Sequence, residues 1–140
     1  MSSAPIDADV LIVEDDPLAA KLLGAIIKRM TGRSVQVIDD ATAAMDALRR
    51  AASGEGGRLP DLLIADIHLG VENSFALVGW VRCCAHTQSV RLLMITADDR
   101  DLTRDAALNA GAEFVMSKGD FLDKTAFWME EFFPEQAASA

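Results

Sequence analysis

The chain has 140 residues, the size of one domain, and its 51% apolar content is enough for a sizeable core. Acids outnumber bases 22 to 13, so the net charge of −9 and the lack of any basic run argue against binding nucleic acid or an anionic membrane surface. The N-terminus has no signal-peptide pattern and no apolar run approaches a membrane span, so a cytoplasmic chain is expected, with Cys83 and Cys84 too close to bridge and therefore reduced.

Residues 10–13, VLIV, read as a buried strand. Asp16 caps a first helix with Pro17 in its first turn. Leu22, Leu23, Ile26, Ile27 and Met30 then repeat at helical spacing until Thr31-Gly32. Residues 34–38, SVQVI, alternate as a strand does. Asp40 caps a second helix with Ala41, Ala44, Met45 and Leu48 on one face and Arg49-Arg50 towards its C-terminal end. SGEGGRLP, residues 53–60, is a loop, and DLLIA, residues 61–65, is strand three. IHLGVEN is read as a loop leading to a helix over about Ser74 to Cys84. VRLLMI, residues 90–95, is strand four, followed by a helix from about Asp99 to Ala110 that stops at Gly111. EFVM, residues 113–116, is strand five, and a last helix runs from about Asp120 to Phe133 before Pro134. Tails at 1–8 and 135–140 flank a domain over 9–134.

Strands alternating with helices predict a parallel sheet with helices on both faces, and such sheets bind ligands beyond the carboxyl ends of their strands. Glu14, Asp15 and Asp16 follow strand one; Asp66 ends strand three; Thr96 follows strand four; Ser117 and Lys118 follow strand five. The acids at 14–16 alone would suit any helix N-terminus. Together with Asp66 and Lys118 they mean more. If strands one and three are neighbours, Asp15 and Asp66 repel each other unless a cation binds. Hard oxygen ligands with places left for water suit Mg2+, which would keep Asp66 ionised and nucleophilic. Lys118 and the Thr96 hydroxyl would face an anion from the other side. A carboxylate, a divalent metal, an ammonium and a hydroxyl make a phosphoryl-transfer site.

VLIVEDDP, PDLLIAD, MITA and GAEFVMSK resemble, in order and spacing, the four signatures of the response regulator receiver domain, over about residues 9–134. The resemblance implies a flavodoxin-like (βα)5 doubly wound parallel sheet with strand order 2-1-3-4-5. It implies that Asp66 accepts a phosphoryl group from a histidine kinase or histidine phosphotransfer protein, with Mg2+ as cofactor and Mn2+ able to substitute. Asp15, Asp66 and the main-chain carbonyl of His68 would ligate the metal, and Glu14 would hold a metal-bound water. Thr96 and Lys118 would each bind a phosphoryl oxygen. Such a chain is a switch, not a turnover enzyme; its chemistry is self-phosphorylation and self-dephosphorylation. With no output domain expected after residue 134, it would act through protein–protein contacts on a downstream protein, or as a phosphate relay or sink.

Three positions depart from the family pattern. Gly70 and Val71 stand where a Pro-Gly turn is usual, Gly119 stands where a cis-peptide proline is usual, and Val115 stands where the switch aromatic is usual. Phe114 is one residue early and should face the other side of the strand. These departures motivate an alternative, an unphosphorylated protein-binding module. A small Mg2+-dependent phosphatase is a further rival; it would want a second Asp where His68 stands. His68 and Asp98, each two residues past a site residue, are candidates for setting the phosphoryl lifetime. In the last helix, Leu122, Ala126, Met129 and Phe133 form one stripe beside Phe121, Trp128 and Phe132. The second stripe reads either as a wide buried face or as a docking face for a partner or a second copy.

Overall fold

The computed structural model describes residues 5–69, 72–96 and 101–134. In chain order the elements are β1 (Val10–Val13), α1 (Pro17–Thr31), β2 (Val35–Ile38), α2 (Ala41–Ser53), β3 (Leu62–Asp66), β4 (His68–Leu69), β5 (Glu72–Asn73), α3 (Phe75–Cys83), a 3-10 turn (Ala85–Thr87), β6 (Arg91–Thr96), α4 (Asp101–Ala110), β7 (Phe114–Ser117), α5 (Lys118–Asp123) and α6 (Thr125–Phe132). Five parallel strands form one sheet in the order β2-β1-β3-β6-β7, and β4 pairs with β5 in a separate antiparallel ribbon. Counting only the strands of the main sheet, this is the flavodoxin-like order 2-1-3-4-5.

The central strands are apolar on both faces because helices cover both faces. Leu11, Val13, Leu63, Ala65, Leu92 and Met94 point towards α2, α3 and α4, where Ala44, Leu48, Leu77, Val81 and Ala107 meet them. Val10, Ile12, Leu62, Ile64, Leu93 and Ile95 point towards α1, α5 and α6, where Leu23, Ile27, Phe121, Met129 and Phe132 close the second layer. Packing begins before β1: Ile6 and Ala8 are buried, and the Arg58 N–H donates to the Ile6 carbonyl at 2.8 Å. Among the described residues no helix is long and apolar enough to cross a membrane, and both cysteine thiols are free.

The two early caps form as their sequences predict. Asp16 accepts from Leu18 N–H at 3.1 Å and Asp40 from Thr42 N–H at 2.9 Å. Three other regions differ from expectation. First, α1 is rotated so that Ala20, Leu23, Gly24, Ile27 and Thr31 face the core, leaving Leu18, Leu22 and Met30 exposed. Leu18 and Leu22, at i and i+4, share one exposed face and Met30 lies further round the helix, so the apolar surface was wider than the face the sheet could take. Second, residues 68–73 contain the β4–β5 ribbon in place of a plain loop; Gly70 and Val71 lie outside the described residues. Third, the last helix is two helices. It starts early, because Ser117 caps α5 by accepting from Asp120 N–H at 3.0 Å, and it breaks at Lys124. At that break the Thr125 hydroxyl donates back to the Phe121 carbonyl at 2.7 Å, competing with regular helix bonding.

The two apolar stripes of the last segment are mixed in space. Phe121, Met129, Phe132 and Phe133 are buried, whereas Ala126 is exposed. Most of the segment is thus a wide buried face, and Phe127, 52% exposed, is its one large apolar group counted as exposed. Phe121 is fully buried and anchors the helix that begins at Lys118. Phe121→Ala is expected to cost about 3–5 kcal/mol of stability, the usual range for deleting a buried aromatic ring. Urea denaturation followed by circular dichroism measures it, and a change below about 1 kcal/mol would show that Phe121 does not anchor the segment.

Candidate functional site

Strand register assembles the site. Val13 pairs with Ala65, Asp66 with Ile95, and Thr96 with Ser117. Glu14, Asp66, Thr96 and Lys118 therefore leave four strands at the same carboxyl rim. Glu14, Asp66 and Thr96 are buried there, and Asp15 is exposed. Carboxylate oxygens of Glu14, Asp15 and Asp66 lie within 4.8 Å of one another. The Lys118 ammonium stands 2.7 Å from Glu14 Oε1 and 3.2 Å from Asp66 Oδ2.

Each carboxylate is held differently. Glu14 Oε2 accepts from the Asp16 N–H at 3.3 Å. Its buried Oε1 makes no aligned hydrogen bond, so the charge contact with Lys118 is what compensates it. Asp66 Oδ1 accepts from the His68 N–H at 3.2 Å, while Oδ2 faces Lys118. The Ser74 hydroxyl donates to the main-chain carbonyl of Asp66, and the Ile67 N–H donates to Ile95 O at 2.9 Å. The Asp66 side chain and its own peptide are thereby fixed from several directions.

The charges do not balance. Three carboxylates and one ammonium sum to a formal −2. Two unit charges about 4 Å apart interact by about 4 kcal/mol at an effective dielectric of about 20, so the deficit matters. Its effect appears on Glu14, whose pKa is pushed up by burial and by the neighbouring Asp66, against the opposing Lys118 contact. For Lys118, burial pulls the pKa down, but the bond to Glu14 and the field of Asp66 outweigh it and the net direction is up. Without a metal, a proton on Glu14 relieves part of the repulsion.

The structure thus brings Glu14, Asp15, Asp66, Thr96 and Lys118 to one rim, with the His68 backbone on the Asp66 carboxylate. Asp98 lies outside the described residues. Val115 is buried among the residues facing α2, α3 and α4, and Phe114 packs on the opposite face, its ring 5.3 Å from Trp128 and 5.4 Å from Phe132. The orientation expected for Phe114 is the one found. Gly119 follows Lys118 through a trans peptide, since the described chain has no cis bond. Sequence reasoning missed Ser74, which reads as an ordinary start to α3; only the ribbon that folds it back shows its bond to Asp66.

Comparisons with known proteins agree with this geometry. The family model described as the response regulator receiver domain matches residues 10–124. An uncharacterized 14.6 kDa protein in the sodA1 3' region of Leptolyngbya boryana is 31% identical over 110 residues, covering 79% of this chain and 78% of that one. A protein assigned as a response regulator from Chloroflexus aurantiacus J-10-fl superposes with a TM-score of 0.75 at 25% identity, covering 90% of this chain and 97% of that one. The Mn2+-bound form of response regulator Rcp1 superposes with a TM-score of 0.70 at 15% identity, over 86% and 91% of the two chains, and so shares the fold. The chain belongs to the response regulator receiver domain family.

Proposed function

We propose that Asp66 is the phosphoacceptor of a signalling switch, charged by the phosphohistidine of a histidine kinase or histidine phosphotransfer protein. The observation that carries this reading is the Asp66 carboxylate itself. It is buried, oriented by His68 N–H on one oxygen and faced by the Lys118 ammonium on the other. The acidic cluster fits a divalent cation: a formal −2, hard oxygen donors, and a Glu14 oxygen lacking an aligned partner. Asp15, Asp66 and the His68 carbonyl would hold Mg2+ or Mn2+, the latter bound in Rcp1, and Glu14 would reach it through water. When bound, the cation supplies positive charge for the phosphoryl oxygens.

In the transfer, an Asp66 oxygen attacks phosphorus, the P–N bond to the donor imidazole breaks, and the imidazole leaves. Lys118 turns from Glu14 to a phosphoryl oxygen, and the Thr96 hydroxyl donates to another. In hydrolysis water attacks phosphorus, the P–O bond to Asp66 breaks, inorganic phosphate leaves and the Asp66 carboxylate is regenerated. Asp98 would orient that water, and His68 would line its approach. Leu18 and Leu22 are exposed, and Leu18 lies two residues from Asp16, beside the rim a donor protein must reach. The switch would then act on a downstream protein, or pass the phosphoryl group on.

With acetyl phosphate and Mg2+, mass spectrometry is expected to find one phosphoryl group on wild type and none on Asp66→Asn. A wild type that stays unmodified would favour the protein-binding module, and turnover of small phosphate esters would favour the phosphatase. After donor removal, the acyl phosphate should decay more slowly in Asp98→Ala; an unchanged decay removes Asp98 from hydrolysis.

Glu14 gives a separate test of the charge arrangement. Its folded pKa lies above the ordinary 4.5, so its contribution to stability is full at acid pH and is lost as pH rises through the folded pKa. Glu14→Gln mimics the protonated form at every pH. In metal-free buffer the stability of the variant relative to wild type, read by urea denaturation, should rise as pH is raised above the ordinary 4.5. A difference that does not change with pH would contradict the crowding of carboxylates at this rim.

A further inference from the structure

Ser74 stands at the start of α3, where serine normally accepts a backbone N–H of the first turn. Here its side chain caps nothing. Its hydroxyl instead donates to the main-chain carbonyl of Asp66, and its own N–H donates to the Ile67 carbonyl at 3.1 Å. The side chain is fully buried, so this bond has no competing water. Two consecutive carbonyls next to the acceptor carboxylate are thus held by one residue eight positions away.

Between those two anchor points runs the β4–β5 ribbon. His68 pairs with Asn73, the residue before Ser74, and Leu69 pairs with Glu72. The His68 N–H is at the same time on Asp66 Oδ1. Residues 67–69 and 72–73 are therefore tied together at a neck closed by Ser74, and His68 sits at that neck. A loop carrying a ligand atom binds more tightly when it is ordered beforehand, because less conformational entropy is lost on binding.

We infer that Ser74 is a positioning residue for the cation: its hydroxyl, by tying the ribbon to the Asp66 carbonyl, presets the Asp66 carboxylate and the His68 main-chain carbonyl for a divalent metal. This rests on the proposed function in taking that carboxylate and that carbonyl as ligands. The side chain itself touches neither metal nor phosphoryl group. It acts as outer partners of metal ligands do, whose loss weakens metal affinity while the ligand set stays intact.

The test is direct binding, measured without any phosphoryl donor. Isothermal titration calorimetry of Mg2+ into wild type and Ser74→Ala should show an affinity weaker by roughly tenfold in the variant, the lower end of the range for outer partners of metal ligands. Backbone amide exchange at His68 and Asn73 in the metal-free variant should be faster. Ser74→Cys, which keeps nearly the volume but donates poorly, should fall on the same side. A cap or packing role would lower thermal stability and leave Mg2+ affinity alone, so affinities within about twofold of wild type in either folded variant overturn the inference. Failure of both variants to fold would make Ser74 a folding residue and overturn it as well. A wild type that takes up no Mg2+ would instead bring down the proposed metal site itself, which separates the two failures.

Discussion

The contact on which the rest depends is the Lys118 ammonium wedged between Glu14 and Asp66, at 2.7 Å and 3.2 Å. One positive charge there faces three carboxylates, so the rim is under-neutralised by design of the sheet register, not by accident of a flexible surface. The acids come from β1 and β3, which are neighbours at the centre of the sheet and buried throughout, so they cannot move apart without unpairing core strands. Lys118 comes from the end of β7 and is anchored by Phe121 one turn later. The apolar core thereby holds like charges together at a rim whose oxygen donors suit a divalent cation.

The two faces of β7 are filled differently. Val115 looks into the layer shared with α2, α3 and α4, where a compact branched side chain fills its place. Phe114 looks the other way, into an edge-to-face group with Trp128 and Phe132. The aromatic mass next to Lys118 therefore lies on the α6 side. α6 in turn packs on α1, whose first turn begins at the acidic rim. A shift of Lys118 is mechanically closest to that layer.

Much of this was legible in the residues. Apolar runs ending in Glu14, Asp66, Thr96 and Lys118 are strong signals because parallel strands buried on both faces leave few other places for polar groups. Strand order and rim then follow from topology. What was not legible has a common cause. The rotation of α1 that exposes Leu18 and Leu22 depends on which of two apolar stripes the sheet accepts, and spacing alone gives both. The break at Lys124 depends on a hydroxyl bonding its own preceding turn. Ser74 fits a helix cap by type and position, and only tertiary folding of the ribbon reassigns its hydroxyl. These are competitions between neighbouring hydrogen-bond partners or faces, which residue type does not decide.

The most direct measurement of the central claim is a crystal structure with Mg2+ and beryllium fluoride, a stable mimic of the aspartyl phosphate. One Mg2+ is expected with oxygens of Asp15 and Asp66 at about 2.0–2.1 Å, beryllium on an Asp66 oxygen, and Lys118 Nζ withdrawn from Glu14 onto a fluoride. Beryllium fluoride bound elsewhere, or Lys118 still paired with Glu14 beside a bare Asp66, would contradict it.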